Sequence, residues 1–189
     1  PADVEAALTD ETILVSVMHV NNEVGAVQPI GAIGRLLKDR PRTLLHVDGV
    51  QSVGKLPVCL REWGVDLFTV SAHKFGGPRG AGWLYIREGV ELEPIIRGGG
   101  QEDGLRSGTE NVPAIVGAAK ALRLAIESQP ERMERMSGLR RRLVKGIVRM
   151  PGVVLSGPED DDPRQPMAPH IVHFCCPGLK PEVIVHSLE

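Results

Sequence analysis

Two short apolar runs rich in branched side chains, at 13–18 and 44–47, flank a segment of a different kind, at 29–40. There Ile30, Ile33, Leu36 and Leu37 recur at helical spacing behind a proline. A run this short and this apolar reads as a buried strand, and strand, helix, strand in that order is a βαβ unit, whose two strands lie parallel. A third run, at 67–70, extends the same sheet. A fourth, at 82–86, follows too closely for a crossover helix and is expected to run antiparallel. The predicted class is therefore α/β, a mostly parallel sheet with flanking helices.

After a glycine-rich stretch at 98–108 the pattern changes to two long helices, 112–127 and 131–150, parted near Pro130. A loop rich in Pro and Asp, 157–169, leads to an expected strand at 170–174 and a helix from Pro181. These breaks divide the chain into part of a large unit at 1–111, a helical connector at 112–150 and the start of a small α+β unit at 151–189. The acidic run 160–162 reads as a solvated loop. The chain opens on Pro1 and stops at Glu189 within an apolar periodic stretch, so it reads as an internal fragment.

Composition narrows the partners. At 189 residues and 42% hydrophobic content the chain can build a core, while a formal charge of -2 and a pI near 6.4 give no basic footprint for nucleic acid. No apolar run approaches the roughly 20 residues of a membrane helix. Three cysteines without disulfide-like spacing suggest a reducing, cytoplasmic setting.

Ligands of open parallel sheets bind at the carboxyl ends of strands. Four such ends here are polar: 19–23, 48–52, 71–74 and 98–111. Taken singly, Asp48 could cap a helix over 50–53 and Lys74 could be a solvated lysine. Together, a lysine able to form a Schiff base and an acid for a pyridine nitrogen are the minimal protein contribution to pyridoxal-phosphate (PLP) chemistry.

The octapeptide Ser71-Ala72-His73-Lys74-Phe75-Gly76-Gly77-Pro78 resembles the PLP-lysine segment of the class V aminotransferase-like group, and of cysteine desulfurases in particular. The resemblance extends through 18–25, 46–55, 98–102 and 106–111, four motifs in the family's order. It implies the fold type I of PLP-dependent transferases. By the same resemblance Lys74 would hold the cofactor and later move protons, Asp48 would meet the pyridine nitrogen, and Gln51 and Asn22 would bond the side of the phenolic oxygen. Ser71 and His73 would bind the phosphate, and Thr109 would reach the phosphate of a partner subunit in a homodimer.

The implied activity removes sulfur from L-cysteine, giving alanine and an enzyme persulfide. A sulfur-acceptor protein such as an iron-sulfur scaffold, or a thiolated RNA pathway, would receive it. Selenocysteine lyase, another class V PLP enzyme and a non-catalytic scaffold remain alternatives. The family's ring-stacking histidine and phosphate-binding turn are expected before Pro1, and its substrate arginine and cysteine-bearing loop after Glu189. The isolated chain is accordingly expected to be inactive. It also carries Gly49 and Val50 where many relatives have alanine or threonine, and Asp103 where a basic residue is frequent.

Three other patterns are set aside. Cys175-Cys176 and Cys59 read as small buried structural cysteines. The segment 49–56 follows P-loop spacing until Leu56, where magnesium binding needs Ser or Thr, and Pro57 follows. His19, His46, Asp48 and His73 have no metal-site spacing.

Overall fold

The computed structural model describes residues 1–159 and 162–188. Strands β1 (Leu14–Met18), β2 (Leu44–Asp48), β3 (Leu67–Ser71) and β4 (Gly82–Ile86) form one sheet in that spatial order. The first three are parallel and β4 runs antiparallel to β3, as the missing crossover requires. Register places Met18 opposite Asp48 and Asp48 opposite Thr69, so β1 and β2 finish level and β3 runs two residues beyond them.

Helix α1 (Ala2–Ala7) precedes the sheet, α2 (Ile30–Leu37) makes the first crossover, and α3 (Leu60–Trp63) lies on the second. Ile30, Ile33 and Leu37 form the buried stripe of α2. They pack with Leu45, Val47, Phe68 and Val70 from one face of the sheet, and with Ala118, Ala121 and Ala125 of α4 (Val112–Glu127), in a single core cluster. Burial of each large branched or aromatic side chain there contributes about 1.5–3 kcal/mol.

The other face differs from the expectation of strands buried on both sides. On β1 exposure alternates, and Leu14 (49%), Met18 (40%) and Leu84 (40%) remain open. The polar side chains there bond across the strands instead. Ser16 Oγ lies 2.7 Å from His46 Nδ1, and His46 Nε2 lies 3.3 Å from Thr69 Oγ1. Leu67 is the buried exception on this face, so runs apolar enough to be buried on both sides are buried mainly on one.

Asn111 caps α4, its Oδ1 accepting from Ala114 N at 3.3 Å. Helix α5 (Gln129–Ile147) starts two residues earlier than expected, with Pro130 in its first turn, where a missing N–H costs nothing. The expected strand at 170–174 shrinks to β6 (Phe174–Cys175), paired with β5 (Val154–Leu155), whose two residues offer no longer partner. The stretch before β6 is held elsewhere. Ala168 N donates to Gly25 O at 2.7 Å, and Val27 N to Pro166 O at 2.9 Å, binding it to the turn after β1. Helix α6 (Pro181–Leu188) follows. Asp160 and Asp161, most of the acidic run read as a solvated loop, lie outside the described residues. No helix of the described residues is long and apolar enough to cross a membrane.

Candidate cofactor site at the strand ends

Asp48 is the last residue of β2 and is half-buried. Its Oδ1 accepts from Val50 N at 2.9 Å, and its main-chain oxygen accepts from His19 N at 2.9 Å. The carboxylate thus closes a turn two residues on and caps no helix: the segment after it is a series of turns. That corrects the reading of 50–53 as a capped helix. The same turn places half-buried Gln51 beside Asp48. It is fixed from both sides, with Gly49 N bonded to Thr69 O at 3.0 Å and Gly54, at φ +72°, pressed against Ala125 of α4.

Ser71 ends β3, and a short 3-10 helix, Ala72–Phe75, follows. Ala72 and Phe75 are buried, which leaves the two residues between them, His73 and Lys74, pointing outward and exposed. Gly76 ends this helix at φ +92°, a conformation that favours glycine, and Gly77 lies against Ala72 where a Cβ would come within 2.8 Å. After β1, Asn21 Oδ1 accepts from both Glu23 N and Val24 N at 2.9 Å, and Asn22 is exposed in the turn so formed.

Asp48 and Ser71 therefore close β2 and β3, and Asn22, Gln51, His73 and Lys74 follow the carboxyl ends of β1, β2 and β3. Thr109 stands apart. It is exposed on the loop entering α4, which Gly108 N closes by bonding Gln101 Oε1 at 3.1 Å.

Two further residues belong to this neighbourhood. Lys55 Nζ donates to the main-chain oxygen of Lys74 at 2.9 Å. Burial, then the charges of Lys74 and Arg132, push the Lys55 amine down to about 8. His170 is pushed down to about 4 by burial and by the charges of Lys55 and Lys74, and neither ring nitrogen has a hydrogen-bond partner among the described residues. The sequence places Lys55 at the end of the motif 46–55 and in a failed P-loop without giving it a role, and does not single out His170. The P-loop itself stays excluded, since turns and then Pro57 follow β2 where a helix would have to open.

His19, once conceivable as a ligand, is buried edge-on to Trp63 with ring centroids 4.9 Å apart and is pushed down to about 4 by burial. No group of three or more His, Cys, Asp or Glu among the described residues could hold a metal. The cysteines depart from the expectation of burial: Cys59 and Cys175 are exposed and Cys176 is half-buried, all as free thiols. Cys59 precedes α3 on the crossover, and β6 is too short to enclose its cysteine.

The donor set suits a cofactor with one aldehyde, one basic ring nitrogen and one phosphate. Lys74 has no carboxylate partner among the described residues, Asp48 is held by its own turn, and hydroxyl and imidazole groups flank the lysine.

The class-V aminotransferase family profile matches residues 1–189. A cysteine desulfurase IscS of Clostridium botulinum (strain Hall) is 46% identical over 188 residues, covering 99% of this chain and 46% of the relative. One of Escherichia coli O139:H28 is 44% identical over 189 residues, covering 99% and 45%. Among solved structures, a NifS-like protein superposes with a TM-score of 0.91 at 41% identity, over 99% of this chain and 50% of the other. DndA from Streptomyces lividans gives 0.83 at 36% identity, over 98% and 51%. The chain spans about half the length of the curated relatives it matches. Its strand order, site position and match along the full chain agree: the fold is the type I fold of PLP-dependent transferases, and the chain belongs to the class-V aminotransferase family.

Proposed function

We propose that this chain is the cofactor-lysine-bearing part of a PLP-dependent cysteine desulfurase. The observation that carries the reading is the placement of a turn-fixed carboxylate, Asp48, and an exposed lysine without a carboxylate partner, Lys74, after neighbouring parallel strands. The similarity to cysteine desulfurases over 99% of the chain supports it. When bound, PLP supplies an electron sink for a carbanion at the substrate's α-carbon.

The residues of this chain do the rest. Lys74 holds the cofactor covalently and carries a proton at Nζ. Asp48 keeps the ring nitrogen protonated. Asn22 and Gln51 orient the ring through its phenolic oxygen, and Ser71 and His73 donate to the phosphate. Thr109, set apart on its exposed loop, serves the phosphate of a second subunit in a homodimer. The substrate is L-cysteine, the products are alanine and a persulfide, and the sulfur passes to an acceptor protein such as an iron-sulfur scaffold in the cytoplasm. Cys59 lies on the crossover before α3 and Cys175 in β6, and the 189-residue chain alone is expected to show no turnover. Residues 1–111 supply the cofactor unit, 112–150 the helical connector and 151–189 part of a small unit.

The test is absorbance of the purified chain with PLP, beside Lys74→Ala, then borohydride reduction and peptide mapping. A reducible yellow adduct confined to Lys74 is expected. Adducts spread over other lysines, or unchanged in Lys74→Ala, would refute the assignment.

A further inference from the structure

We infer that Lys55 is a positioning residue for Lys74: from the turn after β2 it holds the main chain of the lysine-bearing turn after β3, locking two strand ends of the cofactor site together. The inference rests on the proposed cofactor role of Lys74 and deepens it.

Lys55 leaves the turn that begins at Asp48, and that turn is rigid. Lys55 N and Leu56 N both bond Ser52 O, at 3.0 and 2.9 Å, Ser52 is fully buried, and Gly54 is seated on α4. From this base the half-buried side chain crosses to Lys74 and donates Nζ to its carbonyl at 2.9 Å. The bond is local to the functional lysine. The 3-10 helix offers its carbonyls only weak partners of its own, because four residues close barely one turn and Gly77 N takes the oxygen of Ala72. An ammonium donor is about twice as strong as a neutral one, so it is suited to fixing the outward direction of Lys74.

Lys55 also occupies a place where a lysine is costly. It is partly desolvated and faces Lys74, Arg132 and His170, with no acidic partner among the described residues. A group retained for stability alone would be paired or apolar. One that must present a donor to the Lys74 carbonyl, and must not form an ion pair that draws it away, fits these surroundings. Lys55 thus connects the acid-bearing turn and the lysine-bearing turn, so that the distance between Asp48 and Lys74 does not depend on the sheet alone.

The test compares Lys55→Met, which keeps the stem and loses the donor, with Lys55→Arg, which keeps a donor. Each chain is incubated with PLP, reduced with borohydride and mapped, and its melting midpoint is recorded. Lys55→Met is expected to lower the adduct at Lys74 about tenfold with a melting midpoint equal to or above that of the unsubstituted chain. Lys55→Arg is expected to restore the adduct to within about threefold. Full adduct in Lys55→Met, failure of Lys55→Arg to restore it, or a loss that merely follows a fall in melting midpoint overturns the inference. An unsubstituted chain that forms no adduct at Lys74 instead overturns the cofactor reading on which it rests.

Discussion

The packing around Gly49 predicts that alanine is not tolerated at this position. The residue is buried directly after Asp48, and the ring of Phe68 lies against it from the adjacent strand. A methyl group on Gly49 would come within 2.5 Å of Phe68 Cε2 and closer still to Cε1 and Cζ. Carbon atoms in contact prefer about 3.5–4.0 Å, so the ring would have to retreat by an ångström or more. Phe68 is only 3% exposed and sits inside the main core cluster, which leaves it nowhere to go. Overpacking of this kind costs about 1–3 kcal/mol, and three ring atoms in conflict place Gly49→Ala at the upper end, about 2–3 kcal/mol. For a chain of this size that corresponds to a melting midpoint lower by about 4–12 °C.

The reasoning is specific enough to be tested by a double-mutant cycle in urea. Phe68→Leu removes the tip of the ring and alone costs about 1–2 kcal/mol as a cavity. If the clash is the cause, Gly49→Ala adds little to Phe68→Leu, and the coupling is at least about 1 kcal/mol in favour of the pair. Additive losses, or a loss under about 0.5 kcal/mol for Gly49→Ala alone, would refute it.

Two more outcomes follow from buried polar groups. His19 and His170 are held neutral, both pushed from 6.5 down to about 4, so the folded state binds fewer protons than the unfolded chain between those limits. Their stabilisation is complete above about pH 6.5 and is lost as pH falls toward 4. For His19 alone the loss between pH 7.5 and 5 is about 2 kcal/mol, read as a urea midpoint, and His19→Gln should flatten that fall; an equal slope in the variant would refute it. Asp66, 8% exposed, accepts from Leu45 N at 2.7 Å and from Arg87 Nε at 2.6 Å. Asp66→Ala leaves the Leu45 amide buried and unpaired and should cost about 2–3 kcal/mol in urea unfolding, whereas Arg87→Met, at a half-exposed cation, should cost less than about 1 kcal/mol. Equal losses would count against the amide as the main term.

How much of this could be read from the sequence depended on how local the cause was. The parallel strands and α2 were legible because burial writes its period into consecutive residues. The antiparallel β4 was legible because ten residues after β3 cannot build a crossover. The strand expected at 170–174 was not, since its apolar pattern says nothing about whether a partner strand of equal length exists, and β5 has two residues. The open face of the sheet was hidden for the same reason: Leu14 and Leu84 look like core residues until the layer that would cover them is sought. At the strand ends, motif and position single out Lys74 and Asp48. They do not single out Lys55, because its role lies in a bond to a carbonyl 19 residues away. Exposure of Cys59 and Cys175 likewise depends on neighbours that no residue type reveals.

The bonds from the turn after β1 to the stretch around Pro166 and Ala168 also set a schedule. Val27 N finds its acceptor on Pro166, about 140 residues later in the chain. At a synthesis rate of about 5–20 residues per second, the turn bearing Asn22 waits roughly 7 to 28 s for the strand of backbone that completes it. During that interval β1, β2 and β3 can pair and the 3-10 turn bearing Lys74 can form, since their backbone partners lie before residue 87. The turn after β3 can therefore form while the turn after β1 still lacks its partner from 166–168.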